Sequence, residues 1–277
     1  MKYKKINGIK CFSHNASKSF TNYPNFGHDL IETKNDSNFW DQSRTRLFNS
    51  LISQEQQKKK KIDFLEIGCG TGNLIKSLLE FSNLNITGTE IYLKGLFYAK
   101  KRIPSADFIQ IDISKNILNK KFDFIVCFDV IEHIDNDLKA ISNISSMLKT
   151  KGKFIISVPQ YMFLWSELDK LVMHKRRYSK KDLIYKLEQN SFSIKYVTSY
   201  VFFLFPLMLF SRWYDNFIGR IFFKKSDSNK GRLEKKLYFN KHLNYFFSCI
   251  MKFDEILIKK RFSLPFGGTL IVVAEKK

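Results

Sequence analysis

Three observations predict an α/β chain with a doubly wound, mostly parallel sheet. Between Ile62 and Val158, apolar runs of strand length alternate with amphipathic runs at helical spacing, joined by short connections. A glycine-rich bend, Glu66-Ile67-Gly68-Cys69-Gly70-Thr71-Gly72, joins the first of these strands to the first of these helices. Acidic residues close the later strands at Glu90, Asp112 and Asp129, the end at which open α/β sheets bind their ligands.

Residues 1–60 read as an amino-terminal helical lid and linker. Asn38-Phe39-Trp40, followed by Arg44, Arg46 and an apolar stripe through Leu47, Phe48 and Leu51, predicts a helix covering the cleft, and Gln54 to Lys61 is a charged connector. Residues 61–199 form the core. Its strands are expected near 62–67, 85–90, 106–111, 122–128 and 152–158. Leu74, Ile75, Leu78 and Leu79 make one buried helix face, and Ile134, Leu138, Ile141, Ile144 and Leu148 make another. Ser179-Lys180-Lys181-Asp182 has the pattern of a helix start, with the helix running to about Gln189. Phe192 to Ser199 reads as a sixth strand and Gly268 to Ala274, within 268–277, as a seventh.

Between those two strands lies a hydrophobic and basic helical insertion, 200–267. It opens with ten apolar residues, Val201 to Phe210, too few to span a bilayer, which takes about 20. A second segment places Tyr214, Phe217, Ile218 and Ile221 on one face beside Arg220, Lys224 and Lys225. A third repeats the arrangement with Leu243, Phe246, Phe247, Ile250, Phe253 and Leu257. From 195 to 277 there are 16 Lys/Arg against 6 Asp/Glu, so two readings stand: an interfacial element on an anionic leaflet, or a helical cap packed on the sheet or on a partner chain.

At 277 residues and 44% hydrophobic content the chain can bury one substantial core. Its net charge of +21 is spread along the whole sequence without a clustered stripe, which argues against nucleic acid and leaves an anionic membrane surface or substrate as partner. Four well-separated cysteines, at 11, 69, 127 and 249, form no metal-type pair and no disulfide framework, so a reducing cytoplasm is expected. No apolar run follows Lys2, Lys4 and Lys5, and no secretory leader is expected.

The bend decides the ligand class. A dinucleotide fingerprint needs a small residue at Asn73, and a P-loop needs Gly-Lys-Ser/Thr; both are missing. The remaining pattern, Glu-x-Gly-x-Gly-x-Gly, resembles motif I of the class I S-adenosylmethionine (SAM) methyltransferases. The resemblance extends through Phe39-Trp40 with Arg44, Phe128 to His133, His174 to Tyr178 and Phe262 to Gly268, and points to a bacterial subgroup similar to the type 11/12 and ubiquinone-type O-methyltransferases.

It implies a Rossmann-like seven-stranded sheet with an antiparallel last strand, and SAM held by Glu66, Gly68, Cys69, Gly70, Gly72, Glu90, Ile91, Asp112, Ile113 and Asp129. Glu90 is suited to accept both ribose hydroxyls, and Asp112 to lie beside the adenine amino group.

Because SAM carries its own activated methyl group, the protein need only position an acceptor and remove a proton. His133 is the candidate general base, with Asp129 beside it. Should a helical turn start at Asp129, then Asp129, Glu132 and His133 share a face; this is similar to the Glu-x-x-Glu-His arrangement of ubiquinone-type enzymes, for which a divalent metal is the alternative reading, although Asp129 replaces the first Glu. Tyr161, Trp165, His174, Arg176, Arg177 and Tyr178 are candidate substrate contacts.

The resemblance implies methyl transfer to a small-molecule, lipid-linked, quinone-like or saccharide acceptor, most readily at oxygen. The competing reading is a catalytically silent SAM-fold module acting as a membrane or protein adaptor.

Overall fold

The computed structural model describes residues 2–13, 22–34, 38–56, 61–217, 228–237 and 239–277. Its centre is a nine-stranded sheet of β1 (Lys4–Ile6), β2 (Ile9–Cys11), β3 (Ile62–Ile67), β4 (Leu84–Glu90), β5 (Asp107–Gln110), β6 (Phe122–Phe128), β7 (Leu148–Pro159), β8 (Phe192–Tyr200) and β9 (Thr269–Lys276). Across the sheet the order is β1-β2-β5-β4-β3-β6-β7-β9-β8. Strands β2 to β7 are parallel to one another, β1 is antiparallel to β2, and β9 is antiparallel to both β7 and β8. The polarity of the sheet therefore agrees with expectation. The strand order reverses between β3 and β6, so their carboxyl ends open a crevice.

The extra two strands correct the seven-strand expectation and part of the reading of residues 1–60 as lid and linker. Asn7 and Gly8, at φ 47° and 82°, form the tight turn between β1 and β2. Ile9 and Cys11 point into the core while Lys10 points out, so the hairpin is held by burial and by β2 pairing with β5.

Helices α1 (Gly27–Lys34), α2 (Phe39–Glu55), α3 (Asn73–Leu78), α4 (Leu93–Arg102), α5 (Asp137–Met147), α6 (Glu167–Leu171) and α7 (Lys180–Gln189) surround the sheet. The insertion supplies α8 (Phe205–Phe217), α9 (Asn229–Leu237) and α10 (Lys241–Lys259). Asn38 caps α2 and Ser179 caps α7, each accepting a hydrogen bond from a main-chain N–H of the first turn. Two predicted core positions are exposed: Leu79 lies just past the end of α3, and Leu138 occupies the outer side of the first turn of α5. Leu148 is buried but belongs to β7.

One apolar cluster joins the inner faces of β3 and β6 to Leu47, Phe48, Leu51 and Ile52 of α2 and to Phe247, Met251 and Ile258 of α10. Arg46 of α2 forms a two-pronged ion pair with Glu255 of α10, at 2.9 and 2.7 Å. The insertion thus packs across the sheet on the amino-terminal helix. The second segment anticipated there, through Ile218, Arg220, Ile221, Lys224 and Lys225, lies outside the described residues, as do residues 57–60 of the connector at 54–61.

Candidate active site

A cavity of about 780 Å³ lies over the crevice, within the range of small-molecule sites. The glycine bend forms its floor. Gly68 (φ 71°) packs so closely on Val130 that an added Cβ would lie 2.2 Å from that side chain, whereas a Cβ on Gly70 (φ 52°) would meet nothing within 4 Å. The first glycine is there for packing. Gly70 leaves open space against which a ligand can lie on bare main chain.

Glu90, at the end of β4, is aimed by main-chain donors. Its Oε1 accepts from the N–H groups of Ile91 (2.8 Å) and Tyr92 (3.1 Å), and its Oε2 accepts from Gly70 N–H (3.2 Å). Asp112 is buried; its Oδ1 accepts from the N–H and hydroxyl of Ser114 (3.0 and 2.6 Å), while its Oδ2 has no hydrogen-bond partner. A buried carboxylate oxygen that faces a cavity without a hydrogen bond, with Lys115 Nζ at ion-pair distance (3.7 Å), suits an amino-group donor. Burial, and then repulsion from Glu90, raises the Glu66 carboxyl to about 8, so it is protonated at neutral pH. With open space over Gly70 and two aimed carboxylates, this end of the cavity fits the SAM implied by the sequence. Cys69, Ile91 and Ile113 line the same end.

Asp129 is placed differently from the predicted helical face. It has φ 54°, pairs with Arg44 and accepts the Ser157 hydroxyl at 2.9 Å; the helical turn begins only at Ile131. Asp129, Glu132 and His133 therefore do not share one face. Among the described residues it is Glu132, His133 and His174 that bring one donor atom each within 4.8 Å of one another, a spacing that fits one divalent cation.

Glu132 is fully buried with no hydrogen-bond partner on either carboxyl oxygen, and burial raises its pKa well above the ordinary value. The Nδ1 of His133 lies 3.1 Å from the Asn22 carbonyl, and burial, reinforced by His174, lowers its pKa to about 4. His133 lines the cavity as a neutral ring.

His174 has a different environment. Its Nδ1 lies 2.9 Å from Asp169 Oδ1, and its Nε2 is 3.8 Å from Glu132. Asp169 is held in turn by Arg177 Nε (2.8 Å) and Nη2 (3.1 Å) and by the Ser166 N–H (2.9 Å). Burial alone would raise the Asp169 pKa, but the His174 hydrogen bond and the Arg177 charge outweigh it, and the carboxyl stays ionised far below its usual range.

Of the six predicted substrate contacts, His174 and Arg177 line the cavity, and the other four do not. Tyr178 is fully buried and donates to Asp137 at 2.7 Å. Arg176 pairs with Asp137 at 3.1 Å and donates to the Asp135 carbonyl at 2.9 Å. Tyr161 stacks on Phe163, and the Trp165 carbonyl accepts from Asn216 of α8. These four are engaged by other parts of the protein instead.

Wall residues that sequence reasoning missed include Tyr23 and His28, and Leu204, Leu207, Met208 and Arg212 at the start of and along α8. Arg212, the one cation close behind ten apolar residues, was the available signal.

The sequence profile of a family described as a methyltransferase domain matches residues 34–192. A ubiquinone biosynthesis O-methyltransferase of Rickettsia canadensis (strain McKiel) is 32% identical over 110 residues, which are 38% of this chain and 46% of that protein; the chain thus matches less than half the length of this relative. Phosphoethanolamine N-methyltransferase 2 of Haemonchus contortus, solved with S-adenosyl-L-methionine, superposes with a TM-score of 0.58 at 18% identity, covering 93% of this chain and 58% of that one. The [4+2]-cyclase SpnF superposes with a TM-score of 0.56 at 17% identity, covering 86% and 83%. Likeness at that distance establishes the fold and leaves the chemistry to the site.

Proposed function

We propose, on the premise that this chain belongs to the methyltransferase domain family, that it moves a methyl group from SAM to an oxygen of a small, largely apolar acceptor of lipid-linked or quinone-like character. One observation carries the reading: a single cavity joins the oriented carboxylates of Glu90 and Asp112, at one end, to an imidazole cluster and the apolar side chains of Leu204, Leu207, Met208, Phe239 and Phe247 at the other.

Bound SAM supplies the activated methyl on its sulfonium. Glu90 and Asp112 would hold the nucleoside by its sugar and base. Arg44 neutralises Asp129 and lies over the rings of Trp40 (5.7 Å) and Phe48 (5.4 Å), so α2 closes this side against water. The acceptor's hydroxyl proton passes to the imidazole cluster. With its Nδ1–H held by Asp169, His174 presents Nε2 as the free lone pair, and neutral His133 beside it, 4.9 Å between ring centres, orients the acceptor. The cysteines of the chain are free thiols, in keeping with a reducing cytoplasm as the place of work.

Two measurements test this. Calorimetry with SAM and S-adenosylhomocysteine should show binding of both. Incubating the enzyme with labelled SAM and extracts of lipids or quinone precursors should then label an apolar product. Binding without label transfer to any extract would favour the adaptor reading over the enzyme.

A further inference from the structure

On the outside of the insertion and of the segment that follows β7, aromatic side chains form one connected track. Ring-to-ring contacts run from Phe253 to Phe203 (5.9 Å), Phe202 (5.2 Å), Phe266 (4.6 Å), Phe205 (5.1 Å), Tyr161 (6.4 Å) and Phe163 (5.0 Å). Phe253 and Phe163 at its two ends are 60% and 63% exposed. Along α8 the exposed apolar surface continues through Leu207, Phe210 and Trp213. A surface of this extent is uncommon on a protein facing only water.

The charges on α10 are sorted by side. Asp254 is buried, accepting from the N–H groups of Phe202 (2.6 Å) and Phe203 (3.3 Å), and Glu255 turns inward to Arg46. The outer stripe holds Tyr245, Phe246, Phe253 and Ile256 together with Lys252, Lys259 and Lys260, all exposed. Among the described residues no carboxylate lies within ion-pair distance of those three lysines. Rings and aliphatic groups bordered by lysines, with every acid of the helix turned away, complement a surface that is apolar beneath and anionic on top. No described helix is long and apolar enough to cross a membrane.

We propose that the outer face of α8 and α10 docks on an anionic lipid surface and sets the mouth of the cavity against it. Leu207 makes the connection, because it is half exposed on this face and also lines the cavity beside Met208. An apolar acceptor therefore reaches the site from the lipid without crossing water. Only this last step rests on the proposed function; docking itself is measured without methyl transfer.

The experiment is co-sedimentation with phosphatidylcholine vesicles with and without phosphatidylglycerol, at low and high salt. Wild type is expected to pellet with the anionic vesicles and to be partly released by salt. Replacing Lys252, Lys259 and Lys260 by Gln should lower partition roughly a hundredfold. Replacing Phe210, Trp213 and Phe253 by Ser should lower it at least about tenfold.

Calorimetry with S-adenosylhomocysteine, which should bind both triple variants as tightly as wild type, shows that they fold. Variants that fold and pellet like wild type would overturn the proposal, and so would equal binding to both kinds of vesicle. A protein that forms a stable dimer in solution and pellets with neither vesicle would also overturn it, and would make this face an interface between two copies. If the analogue fails to bind wild type while anionic vesicles still pellet it, the donor assignment falls and docking stands.

Discussion

At the end of the cavity proposed for the donor the main chain does the positioning, whereas at the end proposed for the acceptor side chains position one another. Glu90 is aimed by three N–H groups within its own neighbourhood of the bend and the β4 terminus. His174 depends on Asp169, which depends on Arg177 and Ser166, and the wall opposite comes from α8 and α10. Main-chain positioning is insensitive to most substitutions and keeps one ligand. A side-chain relay can be rebuilt around a new acceptor, which is how one fold serves many substrates.

The comparison predicts that damage at one end spares the other. The largest effect is expected from His174→Gln, which should lower kcat roughly a thousandfold while leaving calorimetric SAM affinity unchanged. Loss of affinity with kcat intact would reverse the assignment of the two ends. His133→Gln in the same assay sharpens it: a smaller fall, with the acid limb of the pH–rate profile retained, marks orientation rather than proton transfer. Addition of EDTA should leave the rate unaltered; a loss restored by a divalent cation would make Glu132, His133 and His174 a metal site instead.

At the donor end, Gly70→Val fills the space a ligand needs and should weaken SAM binding roughly a hundredfold. Circular dichroism should report a folded protein.

A subtler effect concerns protons. Glu66 titrates near 8 in the free protein against an ordinary 4.5, so it is protonated at neutral pH, and a bound sulfonium with its ammonium group favours the ionised form. Binding near neutral pH should then release up to about one proton, read from calorimetry in buffers of different ionisation heat. By the same raised value, Glu66 contributes stability that is complete below its unfolded pKa and is lost as pH rises through about 8. Glu66→Gln should abolish the release; persistence of the release in that variant would assign the proton to another group.

The smallest effect is expected at the far edge of the sheet. Gly8→Ala, at φ 82°, should cost about 1 kcal/mol of stability by denaturant titration and leave both ends of the cavity unaffected.

The same contrast explains what could be read from the residues alone. The bend at 66–72, Glu90 and Asp112 were legible because each lies where a strand turns into the next element, and local pattern suffices there. Tyr161, Trp165, Arg176 and Tyr178 looked like substrate contacts because their chemistry suits a ligand. The partners of the last three, Asn216, Asp135 and Asp137, are set by tertiary packing that spacing does not reveal, while Tyr161 stacks on its sequence neighbour Phe163.

Asp129 was misplaced for a related reason. A positive φ for a non-glycine residue is a constraint of the assembled crevice, where Arg44 arrives from a helix more than eighty residues earlier. The hairpin at 4–11 was a miss of another kind. Asn7-Gly8 between alternating residues is a strong turn signal that the lid-and-linker reading of 1–60 passed over.

A crystal structure with S-adenosylhomocysteine tests the central claim most directly. The ribose hydroxyls are expected on the Glu90 carboxylate, the adenine amino group on Asp112 Oδ2, and the sulfur directed toward the cavity beside His133 and His174. A nucleoside bound elsewhere, or this crevice closed to it, would contradict the account.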